Sequence, residues 1–216
     1  MFTDDTIKAI GRVAAESGIE QAALMAVAEI ESAGRAFTRI GKRQEPIIRF
    51  EGHYFDRRLG EAARARAREL GLSSPVAGAI ANPASQAARW ALLDRAAAID
   101  PRAAYESVSW GLGQVMGAHW AWLGYASVET LAREARESAE GQARLMMRYI
   151  VKADLAAALA RRDWTTFARG YNGPAYRKNA YHTKLAAAYA RHAQPAPTPV
   201  RQPNNIVLRR GSRGEE

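Results

Sequence analysis

The stretch AVAEIESAGRAF, residues 26–37, places two carboxylates in an apolar segment that ends at Ser-Ala-Gly. Apolar residues recur with helical spacing from about Ile19 to Ser32, and Gly34 is a typical helix stop. On a helical wheel of roughly 100° per residue, Glu31 shares the apolar face with Leu24, whereas Glu29 points to the opposite side. We therefore expect Glu31 to lie against the core and Glu29 to be solvated.

A carboxyl group that is held against apolar neighbours loses hydration, which raises its pKa. A raised pKa suits a general acid that works near neutral pH. The alternative is structural, because Glu31 could instead cap the helix or form a salt bridge at its end. The spacing alone leaves both interpretations open.

The bulk composition narrows the class of protein. The 216 residues include no cysteine, which excludes disulfides, a cysteine nucleophile and a cysteine-ligated zinc. We find no signal-peptide pattern at the N-terminus and no run of about 18 apolar residues, so we expect a cytosolic product without a membrane span. The formal net charge of +9 favours an anionic partner, either nucleic acid or a charged envelope polymer. Simple solubility is the alternative explanation for that charge.

The spacing of apolar residues predicts one mainly helical domain over residues 1–193. Within it we predict a first helix from Thr3, a helix capped by Ser85, a long helix over Glu140–Leu159 and a last helix over Lys178–His192. Residues 194–216 are Pro-rich and contain arginines, so we expect a flexible tail.

A small β insertion follows the first carboxylates. Phe37–Ile40 and Ile47–Phe50 are β-capable runs around a polar, Gly-containing turn, and they predict a hairpin. On the second run, Glu51 shares a face with Arg49 and can look into a cleft. Two carboxylates across a groove are what glycoside hydrolysis requires. The alternative is that Glu51 only pairs with Arg49 or Arg57.

Three motifs in order make the pattern specific: EIESAG (29–34), SWGLGQVMG (109–117) and RGYNGPAY (169–176). Together with PIIRFEGHYF (46–55), they resemble the phage-type N-acetylmuramidases of the lysozyme superfamily. The resemblance implies a lysozyme-like α+β fold and cleavage of the glycan strands of peptidoglycan. It assigns Glu31 as the catalytic acid and Glu51 as the second catalytic carboxylate.

The resemblance also implies a set of substrate-binding residues: His53, Ser109, Gln114, Tyr171 and Asn172. Amide and hydroxyl groups both donate and accept hydrogen bonds, which suits sugar recognition. The alternatives are that GLGQVMG is a tight helix entry, that Tyr171 is a packed aromatic, and that Trp110, Trp120 and Trp122 serve the core rather than stack on sugars. The histidines are scattered, so we expect no metal site and no cofactor.

Three rival functions remain open at this stage. A lytic transglycosylase would use the same substrate with one acid, a nucleic-acid binder would cluster its basic residues, and a binding module would lack catalysis. We expect peptidoglycan as partner, electrostatic attraction to an anionic envelope, no nucleic acid, and a monomer. The resemblance implies a phage lysis enzyme that is made in the host cytoplasm and acts on the wall in the periplasm after the membrane is permeabilised.

Overall fold

Helices make up most of the chain that the computed structural model describes, residues 2–194. In chain order they are α1 (Asp4–Ser17), α2 (Gln21–Ser32), α3 (Gly52–Arg58), α4 (Glu61–Glu69), α5 (Gln86–Ala97), α6 (Pro101–Glu106), α7 (Val128–Glu137), α8 (Ala139–Lys152), α9 (Ala156–Ala160), α10 (Trp164–Asn172) and α11 (Tyr181–His192). The mainly helical prediction is confirmed. The predicted cap at Ser85 is confirmed, because it accepts a hydrogen bond from the first turn of α5. Thr3, the predicted start of the first helix, is the cap of α1, and the helix itself begins at Asp4. The predicted tail after Gln194 lies outside the described residues.

Five short strands form two antiparallel sheets in this part of the chain. They are β1 (Phe37–Ile40), β2 (Arg43–Pro46), β3 (Ile48–Phe50), β4 (Val108–Trp110) and β5 (Val115–Met116). β1 and β2 form a hairpin, and the second sheet has the order β3-β4-β5.

The predicted hairpin is present, but its second strand was placed wrongly. Ile40 pairs with Arg43 across a two-residue loop, so the strand resumes at once as Arg43–Pro46. The run that we expected there, Ile47–Phe50, instead contributes β3, which pairs with β4 about sixty residues later in the chain. Only the tertiary structure supplies that partner.

Side-chain amides cover the outer edge of β3. Asn82 exchanges two hydrogen bonds with the backbone of Phe50, at 2.9 and 2.7 Å. Gln86 does the same with Ile48, at 2.9 and 3.2 Å. These amides mimic a neighbouring strand, so the edge is satisfied and cannot pair with another chain.

SWGLGQVMG is a hairpin rather than the helix entry that we considered. β4 ends at Trp110, the chain turns through Gly111 and Gln114 with positive φ angles of 62° and 47°, and β5 returns antiparallel. A 3-10 turn, Gly117–His119, follows. The glycine at 111 supplies the left-handed conformation that this turn requires.

The predicted long helix over Glu140–Leu159 is broken. α8 ends at Lys152, Asp154 adopts a φ of 57°, and α9 begins at Ala156. The break turns Leu155 into the core, where it packs against Gly170 of α10 so closely that a Cβ there would overlap it. The sequence predicted a single helix because the helical spacing of apolar residues runs on from α8 into α9.

Two hydrophobic clusters share α8. The first cluster lies among α1, α2, α8, α10 and α11, and includes Leu24, Met146 and Phe167. The second cluster lies among β3, β4 and helices α3 to α8, and includes Phe50, Trp110 and Leu145. Because α8 contributes neighbouring residues to both clusters, it fixes the two halves of the molecule relative to each other.

Candidate active site

Glu31 lies in the last turn of α2. The helix ends there because the backbone N–H groups of Ala33 and Gly34 return to the carbonyls of Glu29 and Ala28. As a residue Glu31 keeps some exposure, but little water reaches its carboxyl group, and this burial raises its pKa to about 7. The sequence expectation that Glu31 faces the interior is confirmed.

Asn172 contacts Glu31 directly. Its Nδ2 donates to Glu31 Oε1 at 2.7 Å, which acts on the pKa of Glu31 in the opposite direction to burial. The Oδ1 atom of the same amide is buried and has no hydrogen-bond partner within residues 2–194. One end of this amide therefore holds the acid, while the other is left to accept a hydrogen bond from an incoming group.

Three tyrosines surround the carboxyl group of Glu31. Burial and then the negative charge of Glu31 raise the pKa of Tyr149, Tyr171 and Tyr181. Tyr171 donates its hydroxyl proton to the carbonyl of Gly113 at 2.7 Å. The three tyrosines are thus near enough to Glu31 to feel its charge, and Tyr171 ties α10 to the β4–β5 turn.

Glu29 was expected to be solvated, and this expectation is wrong. It points away from the core face, but it accepts hydrogen bonds from Arg191 and from His192 Nε2, the latter at 2.6 Å. Burial alone would raise the pKa of Glu29, and these two partners outweigh that effect and lower it. Glu29 therefore fastens α2 to the end of α11.

A cavity of about 300 Å³ opens beside the tyrosines. Three of the predicted residues line it: Ser109, Gln114 and Tyr171. Gln114 also donates from Nε2 to the carbonyl of Gly111 at 2.8 Å, so part of its amide is committed to the turn. Asn172 is brought to the site by its contact with Glu31.

Glu51 and His53 lie beside this cavity but are not part of its lining. Glu51 Oε1 accepts a hydrogen bond from Arg49 Nε at 2.7 Å, and Glu51 Oε2 lies 3.6 Å from His53 Nδ1. The ion pair with Arg49 is the alternative that the sequence left open. The second catalytic role of Glu51 and the substrate contact of His53 stay predictions.

Comparison with known proteins identifies the family. A model of the N-acetylmuramidase family matches residues 20–193. The chain belongs to the N-acetylmuramidases. The crystal structure of an endolysin from Burkholderia AP3 phage aligns with this muramidase at a TM-score of 0.73 and 34% sequence identity, over 86% of this chain and 70% of the endolysin chain. A search of curated proteins gave no match.

The predicted fold, family and enzyme class are therefore confirmed. The muramidase has a mainly helical, lysozyme-like fold with small antiparallel sheets, it is a glycoside hydrolase, and its substrate is peptidoglycan. No helix within residues 2–194 is long and apolar enough to cross a membrane. In the same part of the chain, no three side chains of His, Cys, Asp or Glu come together as a metal site would need.

Sequence reasoning did not assign several of the residues that line the cavity of this muramidase, among them Tyr54, Arg58, His119 and Tyr149. Tyr149 lies within the helix predicted over Glu140–Leu159, and His119 is one of the scattered histidines. The rings of Tyr171, Tyr149 and His119 follow one another at centroid distances of 5.1 and 5.3 Å. The available signal for Tyr149 was its hydroxyl group, because a tyrosine among the aliphatic residues of a helix face needs a polar partner or an opening beside it.

The three tryptophans considered for sugar stacking differ in exposure. Trp110 is buried in the second cluster, and Trp120 is half-buried and donates to Glu106 at 2.9 Å, so both are structural. Trp122 is 45% exposed and contacts Tyr149 at a ring distance of 5.7 Å. The interpretation that these tryptophans serve the core is correct for Trp110, whereas the exposed Trp122 does not fit it.

Proposed function

We propose that this chain hydrolyses the β-1,4 bond between N-acetylmuramic acid and N-acetylglucosamine, with Glu31 as the general acid. The observation that carries this proposal is the environment of Glu31, which raises its pKa to about 7 beside an open cavity. Near neutral pH a substantial fraction of Glu31 then holds the proton that the leaving oxygen needs. The Asn172 hydrogen bond fixes the direction in which the carboxyl group points.

Glu51 is our proposal for the second carboxylate. It would stabilise the oxocarbenium-like transition state or activate water from the other wall of the cleft. A separation of about 5 Å between the two carboxyl groups in the working complex would give retention of configuration, and about 6.5–9.5 Å would give inversion. Arg49 holds the Glu51 carboxylate in place for either role.

Substrate contacts are proposed for Ser109, Gln114 and Asn172, with His53 beside them. Ser109 and Gln114 line the cavity, and the free Oδ1 of Asn172 can accept a hydrogen bond from a sugar N–H or O–H group. Because the Tyr171 hydroxyl proton is committed to Gly113, we assign Tyr171 mainly to holding the turn.

One observation favours a second candidate, a lytic transglycosylase. Neither carboxylate lines the cavity, but Glu51 is ion-paired with Arg49, whereas Glu31 has no ion pair within residues 2–194 and its charge reaches Tyr149 and Tyr171 of the cavity lining. A transglycosylase needs one acid and no water, and it leaves a 1,6-anhydro end instead of a reducing end.

Mass spectrometry of digested, purified peptidoglycan tests both candidates, with wild type beside Glu31→Gln and Glu51→Gln. Hydrolysis predicts reducing N-acetylmuramic ends that Glu31→Gln abolishes, and a loss on the order of 100-fold for Glu51→Gln. Anhydro ends, with much activity left in Glu51→Gln, would establish the transglycosylase. An intact substrate after treatment with wild type would contradict both.

The biological setting is also proposed. A phage or prophage lysis enzyme, made in the host cytoplasm, would reach the wall in the periplasm once the membrane is permeabilised. The net charge of +9 would draw it to an anionic envelope. We propose that it acts as a monomer without nucleic acid, and that residues 194–216 form a tail that aids attack on intact cells. Deletion of residues 194–216 should then reduce lysis of intact cells while leaving hydrolysis of purified peptidoglycan unchanged.

A further inference from the structure

Three arginines converge on the outer edge of β3. Arg49 lies on the strand itself, and Arg89 of α5 donates from Nη1 to the carbonyl of Ile48 at 3.1 Å. Arg35 follows the end of α2. The next residue, Ala36, accepts a hydrogen bond at its carbonyl from the backbone N–H of Ile47, which places Arg35 near the start of β3. The three side chains therefore start from neighbouring backbone positions. We call Arg35, Arg49 and Arg89 the arginine patch.

The arginine patch has more positive charge than its described surroundings neutralise. Glu51 pairs with Arg49, whose side chain is nevertheless 58% exposed. Arg89 donates to the carbonyls of Pro83 and Ile48, and neither Arg89 nor the exposed Arg35 has a carboxylate within ion-pair distance in residues 2–194. Burial and the positive charges of Arg49 and Arg35 lower the pKa of Arg89. An anion between these guanidinium groups would relieve that repulsion.

The arginine patch borders the cleft. Arg49 pairs in register with Ser109, and Ser109 pairs with Met116, so the three side chains share one face of the sheet. Ser109 and Met116 line the cavity, so Arg49 is on the face of the sheet that borders the cleft. Because the strand order is β3-β4-β5, Arg49 lies at the edge of the sheet opposite to β5. Tyr181 links the patch to the acid, because the charges of both Glu31 and Arg49 influence its pKa.

We propose that the arginine patch binds a carboxylate of the peptide attached to N-acetylmuramic acid. This inference rests on the proposed function. Guanidinium groups bind carboxylates through paired, charge-assisted hydrogen bonds. Since N-acetylglucosamine carries no acid substituent, an anion held beside Glu31 sets which of the two alternating bonds of the strand reaches the acid.

The test compares the double variant Arg35→Gln/Arg89→Gln with wild type. Arg49 is left unchanged because it contacts Glu51. The matched control is Arg66→Gln/Arg161→Gln, which removes the same charge from two exposed arginines with no described side-chain hydrogen bond or ion pair. Each protein is assayed for kcat/KM on soluble peptidoglycan fragments, on the same fragments with their carboxylates converted to methylamides, and on strands stripped of peptide by an amidase.

Wild type should cleave the native fragments with a kcat/KM about tenfold higher than the amidated fragments. The patch variant should lose that preference, and the control should keep it. The amidase frees the lactyl carboxyl group of N-acetylmuramic acid, which in native fragments is the amide that carries the peptide. Wild-type kcat/KM on the stripped strands should be near that of the amidated fragments, and a value near that of native fragments would show that the patch also binds the freed lactyl carboxylate.

Equal cleavage of native and amidated fragments by wild type would overturn the inference, as would an equal loss in the control variant. If the glutamine variant unfolds, Arg35→Lys/Arg89→Lys replaces it, since it keeps both charges and should keep the preference for native fragments. Failure of the proposed function looks different, because wild type would then release no reducing N-acetylmuramic ends from any substrate.

Discussion

Glu29 and Glu31 show at the scale of single residues how position decides the chemistry of identical side chains. Both lie in the last turn of α2. Glu29 meets Arg191 and His192, and these partners lower its pKa despite partial burial. Glu31 meets tyrosines and one neutral amide, so burial dominates and raises its pKa to about 7. The first carboxylate is suited to a structural ion pair and the second to proton transfer.

The raised pKa of Glu31 predicts a stability cost that depends on pH. The folded pKa of about 7 exceeds the ordinary value of 4.5, so the folded state favours the protonated form, and stability falls as pH rises from about 4.5 through 7. A shift of this size corresponds to about 3 kcal/mol at most. Glu31→Gln, which stays neutral, should therefore gain stability over wild type by up to that amount between pH 4.5 and pH 8. Urea unfolding at both pH values checks this, and an identical difference at the two would contradict it.

Asn172 predicts a shift of the pH–activity profile. Its hydrogen bond lowers the pKa of Glu31, so Asn172→Ala should raise that pKa and move the basic limb of the kcat/KM profile to higher pH. The same change should reduce kcat, because the carboxyl group loses its orientation. Asn179→Ala, at an exposed position in the following segment, is the matched control. A lower kcat with an unmoved basic limb would show that Asn172 acts without tuning the acid.

At the scale of elements, Gln142 of α8 connects three parts of the cleft wall. Its Oε1 accepts from the backbone N–H of Leu112 at 3.0 Å, and its Nε2 donates to the carbonyls of Ala36 and Ala135 at 3.1 and 2.9 Å. The amide is buried and fully used. It holds the β4–β5 turn against α8 and against the segment that follows α2.

Replacing this amide should destabilise the protein and loosen the turn. Gln142→Ala leaves one N–H and two carbonyls without partners in a buried place, which should cost about 3 kcal/mol or more. The exposed Gln44→Ala on β2 should change stability by less than about 0.5 kcal/mol. Chemical unfolding of both variants measures the difference. A similar small effect for both would mean that water or a rearranged turn replaces the Gln142 contacts.

At the scale of the whole molecule, the cleft lies where the two hydrophobic clusters meet along α8. Leu145 belongs to the second cluster and Met146 to the first, although they are adjacent in the chain. Loosening either cluster therefore disturbs the helix that supports the other. We expect the domain to unfold as one cooperative unit.

Leu145→Ala tests this coupling. The loss of a fully buried leucine should cost about 2–5 kcal/mol. Tryptophan fluorescence, to which Trp90 and Trp110 of the second cluster and Trp164 beside the first cluster all contribute, and far-UV circular dichroism, which reports all helices, should still give one coincident transition. Val151→Ala on the same helix, at a side chain 56% exposed, serves as control with a change within about 0.5 kcal/mol. Separate transitions in Leu145→Ala would show that the halves unfold independently.

The sequence by itself determined the helical class, the end of α2 after Ser32 and the side of α2 on which Glu31 lies. These features are local, because the 3.6-residue repeat and a helix stop fix them within a few turns. The motif order also identified the family. Of the residues it singled out, Ser109, Gln114 and Tyr171 line the cavity and Asn172 contacts Glu31, while their roles toward substrate stay predictions.

Only the tertiary structure decided what surrounds these residues. The partner of Glu31 is 141 residues away in the chain, and that of Glu29 is more than 160 residues away. The partner of β3, the break after α8 and the arginine patch likewise depend on segments that meet only after folding. Side-chain periodicity records which face of an element is buried, but it carries no information about the element that buries it. The chemistry of the site depends on which element covers the carboxyl group, because the pKa of that group is set by its neighbours in space.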